Sequence, residues 1–446
     1  MTELMWLRRD LRLSDHPALT AALDRGPTTL LFVLDPALWR SAGEVRRAWL
    51  AANLRRLGEQ TPVTVLTGDP ATVVPRFARD IGAERVHVSR EFTPYAARRD
   101  RAVAGALAEA GIEAVPTGSA YAVDPGEVVN GSGKPYRVFT PFSKAWLEHG
   151  WSDPVPRPKP LRVQQVEGHT KAESMLEAAM KNAPLDLPEA GEDAALRRWH
   201  EFLEHDLGDY DQARDRPAVP GTSRLSPYLH LGVIHPRTLL ADLSSRRSES
   251  ARRYRLEIGW REFYADVLRA NPKSAWSDLN PLGVAYDDPG REFDAWREGR
   301  TGFPIVDAGM RQLRESGWMH NRVRMITASF LTKDLHVWWP HGARHFLDRL
   351  LDGDVASNNH GWQWVAGTGT DASPYFRVFN PVTQGLKFDP SGDYVRRWVP
   401  ELADLPGKKA HEPWKHGGAE GYPDPIVDHG EERAEALRRY DVARGR

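Results

Sequence analysis

Cysteine is absent from this 446-residue chain, which removes disulfides, thiolate metal sites and cysteine nucleophiles together and fits a reducing compartment. No run of about 18 apolar residues, the kind that crosses a bilayer as a helix, occurs anywhere. The opening, MTELMWLRRDLRLSDH, lacks an apolar signal region. A soluble, cytoplasmic protein with no membrane partner is expected. Charge of one sign is missing too: 60 Lys and Arg stand against 61 Asp and Glu, a formal net charge of -1, so any nucleic-acid footprint has to be a local patch. His16, His87, His230, His235 and His320 show no ligand spacing such as HExxH. Each reads as a polar core or surface residue, and no metal site is expected.

What is present divides the chain. Its length exceeds one typical core, so two or three domains are expected. Short apolar runs, LMWLRR, TTLLFVLD, PVTVLTG, RVHVSR and EAVPTG, alternate with helical patterns such as EVRRAWLAANLRRLGEQ and RDRAVAGALAEAG. This alternation predicts an α/β domain over residues 1–125 with a doubly wound parallel sheet. Neither GxGxxG nor GxxxxGK(S/T) occurs there, which removes the usual dinucleotide and P-loop readings. Residues 126–195, with WSDPVPRPKP and KNAPLDLPEAGED, are rich in Pro and charge and read as an interdomain linker. From 196 to 446 the pattern is almost wholly helical, and eleven of the 16 Trp fall in it. That concentration points to an aromatic-rich site in an all-α domain.

Four clusters stand out there. DGDVASNNHGWQW, residues 352–364, places Asn358 and Trp362 four apart, on one face of a helix, as suits a flat aromatic ligand with polar edges. The plain alternative is an Asn capping a helix over a core Trp. In GWMHNRVRMITASF, Asn321, Arg324 and Met325 share a helical face and Arg322 points elsewhere. Arg324 can pair with Asp352 or Asp354 and Arg322 can meet a phosphate, while surface salt bridges are the alternative. EIGWREFY puts Glu257 beside Trp260, a carboxylate able to read the edge of a base stacked on the ring, or else a core Trp on an amphipathic helix. In RDRPAVPGTSRLSPYLHLG, Thr222, Ser223, Arg224 and Ser226 gather where a loop enters a helix, which suits a diphosphate as well as a cap.

GTSRLSPYL, EIGWREFYADVL, GFPIVDAGMRQLRESGWMHNRVRMITASFLTKDL, DGDVASNNHGWQWVAGTGTDASPYFRVFNP and the N-terminal WLRRDLRLSDHPAL together resemble the photolyase/cryptochrome family. Within it they look most like class I cyclobutane pyrimidine dimer photolyases. The resemblance keeps order and spacing over nearly the whole chain. It implies an α/β antenna domain, a linker and a helical domain holding FAD, in an enzyme that repairs UV-damaged DNA. Repair proceeds by electron transfer from light-excited reduced FAD to a flipped-out thymine dimer. Residue by residue, the resemblance implies that Tyr210, Thr222, Ser223, Arg224, Leu225 and Ser226 bind FAD, chiefly at its phosphates. Asp352, Gly353 and Asp354 would line its ribityl and ring edge, with Arg324 on Asp352, and Asn358 would sit against flavin N5. Trp260 and Trp364 would wall the lesion, Glu257 would hydrogen-bond the thymine edge, and Asn321 and Met325 would complete the pocket. Arg214, Arg322 and Gln384 match DNA-contacting positions. An electron-transfer chain would run from Trp362 through Trp339 to Tyr286.

Three positions depart from the family pattern. Tyr286 stands where the family has a third Trp, so photoreduction is expected to be slower or rerouted through Trp338 or Trp276. His360 stands where close relatives carry Gly. In TPYAARRD, residues 93–100, Ala96 replaces the Glu that anchors a folate antenna, so the resemblance implies 8-hydroxy-5-deazaflavin rather than methenyltetrahydrofolate. The rival reading is a cryptochrome, a flavin photoreceptor without repair activity, although plant-type members carry Asp where this chain has Asn358. A (6-4) photolyase would show His at Asn321 and Met325. A monomer is expected.

Overall fold

The computed structural model describes residues 2–168, 170–371 and 377–445. Ala372–Phe376, inside the longest quoted motif, lie outside the described residues. Six strands form the sheet: β1 (Thr2–Leu7), β2 (Thr28–Leu34), β3 (Thr64–Thr67), β4 (Ala83–Arg90) and β5 (Glu113–Ser119) lie in the order β3-β2-β1-β4-β5, and a two-residue β6 (Val163–Gln164) pairs parallel with the start of β2. Every neighbouring pair is parallel, which is the doubly wound sheet the alternation predicts. Period-two alternation puts helices on both faces. In β1, Met5 and Leu7 pack with Trp49 and Leu54 of the helix Glu44–Gly58, whereas Leu4 and Trp6 pack with Val74, Phe77 and Val103. Asp35, Asp69 and Thr93 follow strand ends, each cap a helix by accepting a backbone N–H, and each precede a Pro.

The span read as a linker is not bare chain. It holds the helices Phe139–His149 and Thr170–Lys181, and Phe142 and Trp146 of the first are buried. Flanking prolines and charge hide that periodicity in the sequence. Beyond Glu192 every regular element among the described residues is a helix, with one isolated β contact between Asp287 and Val337. The two halves share a hydrophobic cluster that runs from Met5 and Leu30 through Trp49 and Trp146 to Trp199, Leu239 and Phe263. Two glycines let the halves approach: a Cβ on Gly43 would lie 1.8 Å from the Asp348 carbonyl oxygen, and one on Gly232 (φ +64°) 1.9 Å from that of Arg9. A second core, around Trp296, Phe330, Trp339 and Trp362, belongs to the helical half alone. No helix among the described residues is long and apolar enough to cross a membrane.

Candidate active site

DGDVASNNHGWQW folds as a turn followed by the helix Val355–Ala366. Asp354 is its N-cap. The Asp354 Oδ1 accepts the Ser357 N–H at 2.9 Å, and its Oδ2 accepts from Arg9 Nη2 at 2.8 Å. Burial alone would raise this carboxyl, but the Arg9 guanidinium, with His230, the Ser357 N–H and Arg261, holds it well below the usual carboxylate range. Asp352 takes the other cation. Its Oδ2 accepts from Arg324 Nη2 at 2.8 Å and from Ser226 Oγ at 2.6 Å, while its Oδ1 is buried without a partner. Arg324 therefore chooses Asp352, because Asp354 is already capping a helix and paired with Arg9. Between them the Gly353 carbonyl accepts from Arg46 at 3.1 Å.

Along the helix the polar side chains divide into two sets. Asn358 Nδ2 donates to the Ala343 carbonyl at 3.1 Å and to Asn359 Oδ1 at 2.8 Å, so its own Oδ1 has no protein partner among the described residues. Asn359, His360 and Gln363 instead clip the helix to the segment Ser274–Leu279. Asn359 donates to the Ala275 carbonyl, and Gln363 donates to the Ser274 carbonyl at 2.8 Å and accepts from Leu279 N at 2.8 Å. His360 is buried; Nδ1 lies 2.8 Å from the Ala356 carbonyl and Nε2 3.0 Å from Ser274 Oγ. Burial lowers its affinity for a second proton. The departure at His360 is thus a packing clip, and Asn359, His360 and Gln363 find partners as buried polar groups must.

At the other end, Ser223 Oγ meets Tyr254 OH at 2.8 Å and the Ser223 carbonyl accepts from Arg198 Nε at 2.7 Å. Arg224 (φ +50°) stacks its guanidinium 4.8 Å from the Trp318 ring. Burial lowers Arg224, and the nearby charges of Arg198 and Arg397 lower it further. None of these three arginines is in an ion pair among the described residues, so the cluster is ready for an anion. Sequence spacing could not reveal Arg198 and Arg397, which come from distant helices. Ser226 opens a helix of only six residues, so cations rather than a helix dipole carry this end. Leu225 and Tyr210 are buried beside it, Tyr210 edge-on to Phe202 and Tyr254, and Thr222 is half-buried.

The residues expected to meet DNA fall into two groups. Arg214 Nη1 donates to Glu257 Oε1 at 2.5 Å, which joins two positions taken from different motifs. Trp260, on the same helix Glu249–Ala270, is half-buried and has one face covered by Phe139 at 3.7 Å and 12°. Arg322 pairs with Asp215 at 2.7 Å. It was expected to point away from Met325, yet its Nη1 lies 3.6 Å from the Met325 sulfur; the two stand three apart on one helix, and residues at that spacing are neighbours on its surface. Asn321 is exposed at the first turn of the helix Asn321–Ser329, and Met325, Trp364 and Gln384 are half-buried. His16, His235 and His320 are helix N-caps, and His87 pairs with Glu3 at 2.8 Å.

Trp362 is 3% exposed, with a buried, partnerless Nε1, and stands edge-on to Phe346 and Trp296. A Cβ on Gly342 would lie 2.2 Å from its ring, so Trp362 packs directly on the helix Trp339–Arg349, within a turn of Trp339. Trp338 and Trp339 both donate their indole N–H to Asp278 Oδ1. Tyr286 is half-buried. Its hydroxyl makes no hydrogen bond among the described residues.

A family model for DNA photolyase matches residues 3–160, and one for the FAD binding domain of DNA photolyase matches residues 254–442. Similar proteins include the deoxyribodipyrimidine photo-lyases of Streptomyces griseus, 42% identical over 98% of this chain and 97% of the relative, and of Escherichia coli, 37% identical over 99% of each. Among solved structures, a class III photolyase from Agrobacterium tumefaciens is 36% identical, with a TM-score of 0.92 over 100% of this chain and 98% of that one. A Synechocystis cryptochrome is 29% identical, with a TM-score of 0.88 over 98% of each. The residues fit the FAD that such a fold carries: a buried, partnerless Asp352 oxygen lies at one end of the site and an unpaired arginine cluster at the other, joined through Ser226. With both halves of the chain matched and its relatives aligned from end to end, the chain belongs to the photolyase/cryptochrome family.

Proposed function

We propose that the chain is a deoxyribodipyrimidine photo-lyase, which uses FAD and light to repair cyclobutane pyrimidine dimers in UV-damaged DNA. What carries the reading is full-length likeness to proteins of that name at 37–42% identity. When bound, light-excited reduced FAD supplies the single electron that opens the cyclobutane ring. The chain's own residues bind and orient. Asp352, set by Arg324 and Ser226, offers its free Oδ1 to the cofactor, alongside Gly353 and Asp354, and Asn358 offers its own Oδ1. Thr222, Ser223, Arg224 and Ser226, with Arg198 and Arg397, hold the diphosphate, and Tyr210 and Leu225 back that pocket. Trp260 and Trp364 sandwich the flipped dimer, Glu257 binds its polar edge, and Asn321 and Met325 close the cavity around it. Arg214, Arg322 and Gln384 meet the DNA backbone, Arg322 exchanging the Asp215 carboxylate for phosphate.

The finer reading is a class I enzyme acting as a monomer, with an antenna domain over residues 1–125. Class I rests on the sequence motifs, set against an Agrobacterium neighbour described as class III. Ala96, buried at the first turn of the helix Pro94–Glu109, supports 8-hydroxy-5-deazaflavin over methenyltetrahydrofolate, because it offers no carboxylate to a folate. Purified protein reconstituted with FAD is expected to show bound-flavin absorption, to bind thymine-dimer DNA in the dark, and to restore it under near-UV or blue light. Bound flavin without repair would point to a cryptochrome instead. Repair of (6-4) lesions in place of dimers would refute the pocket assigned to Asn321 and Met325.

A further inference from the structure

Asp278 lies under two indoles at once. Its Oδ1 accepts from Trp339 Nε1 at 2.7 Å and from Trp338 Nε1 at 3.2 Å, and the two ring centroids are 6.4 Å apart. Trp339 is fully buried and Trp338 half-buried, so the pair leads from the core towards solvent. The segment carrying Asp278 is held in place by the Asn359, His360 and Gln363 clips described above. Trp296 also touches Trp362, at 6.0 Å, but it is fully buried and its N–H donates to the Thr327 carbonyl rather than to a carboxylate.

Tyr286, the expected end of the chain, is poorly placed by comparison. A phenol gives up its proton when it is oxidised, and the Tyr286 hydroxyl has no hydrogen-bond acceptor among the described residues. Burial, followed by the negative charge of Asp278, pushes this phenol up. An indole beside a carboxylate has both a counter-charge for the cation and an acceptor for the proton.

We propose that photo-oxidation ends on Trp338 rather than on Tyr286, with Asp278 positioning both indoles and accepting the proton. This rests on the FAD reading above. An electron passes through Trp339 and Trp362 to the light-excited oxidised flavin, and the vacancy comes to rest on Trp338. Its Nε1 proton moves to Asp278 Oδ1, leaving a neutral indolyl radical beside a carboxylic acid. An external thiolate then donates one electron and becomes a thiyl radical, while the indole nitrogen recovers the proton from Asp278. Half-exposure of Trp338 gives that reductant access, which buried Trp339 lacks.

The test is flash transient absorption of FAD-loaded protein carrying Trp338→Phe, Tyr286→Phe or Asp278→Asn, with flavin content and melting checked for each. Trp338→Phe should cut the yield of long-lived radical by about tenfold or more, because the electron returns to buried Trp339 before a reductant arrives. Asp278→Asn should leave the indole radical as a cation. Without any illumination, nitrogen NMR should show the indole N–H signals of Trp338 and Trp339 shifting together in Asp278→Asn; signals left in place would remove the shared acceptor and with it the proposal. Radical lost in Tyr286→Phe but kept in Trp338→Phe would overturn it, as would an undiminished neutral radical in Asp278→Asn. Protein that cannot hold flavin refutes the function proposed above, whereas flavin-loaded protein indifferent to Trp338 refutes this inference alone.

Discussion

Glu257 is a single carboxylate with two claims on it. It holds Arg214 at 2.5 Å, yet its side chain is 32% exposed, so the ion pair by itself adds little stability. In the pocket proposed above, the group faces the charge that develops on a bound dimer. Glu257→Ala is therefore expected to lower the repair yield about tenfold, roughly 1.4 kcal/mol of electrostatic stabilisation, while FAD content and melting stay close to the parent. A repair assay beside a flavin spectrum reads both. Flavin lost from this variant would place Glu257 on the cofactor side of the cavity.

Between elements, the contact of the helices Trp339–Arg349 and Val355–Ala366 is set by one missing side chain. A Cβ on Gly342 would stand 2.2 Å from Trp362 Cη2 and 2.5 Å from Leu331 Cδ2. Trp362 cannot easily retreat, since Phe346 and Trp296 stand edge-on to it. Helix propensity favours Ala over Gly by about 1 kcal/mol, but overpacking a tight core costs about 1–3 kcal/mol. Overpacking wins here, because the obstructing ring is itself fixed. Gly342→Ala should lose about 1–2 kcal/mol in denaturant unfolding, with altered emission from Trp362. A more stable variant would show that the ring can swing aside.

On the scale of the whole molecule, the sheet half and the helical half are pinned by Arg9 and Asp354, whose side chains are 19% and 12% exposed. The folded state holds Asp354 well below the ordinary carboxylate range, chiefly because the Arg9 charge overcomes burial. The sign follows from proton counting. Where the unfolded chain binds a proton and the folded chain does not, stability rises with pH. The Asp354 contribution is fully present above the ordinary carboxylate pKa of about 3.9 and is lost as pH falls below it. Melting temperature should drop in acid. Asp354→Asn should flatten that drop and cost about 3–5 kcal/mol at neutral pH, since Arg9 loses its counter-charge. A parent-like acid profile in this variant would show that the pin lies elsewhere.

Much of this was legible in one dimension. Alternating apolar runs determined a parallel sheet covered on both faces, and Asp-Pro and Thr-Pro steps marked where its helices begin, because side-chain period and capping are local physics. Spacing also put Asn358 and Trp362 on one face, and Glu257 beside Trp260. Choices among distant partners needed the fold. Arg324 could have taken Asp352 or Asp354, and the decision came from Arg9, which occupies Asp354 from 345 positions away. Arg198 and Arg397 joined Arg224, Phe139 covered one face of Trp260, and Asp278 came to lie under Trp338 and Trp339, although no periodicity relates any of these. Helices in the linker stayed hidden for the same reason, since Trp146 is buried by segments far from it in the chain. Local sequence determines which way a side chain points from its own element. Which charge or ring it meets is settled when separate elements close around a common core, and there the hydrophobic packing of the whole molecule decides.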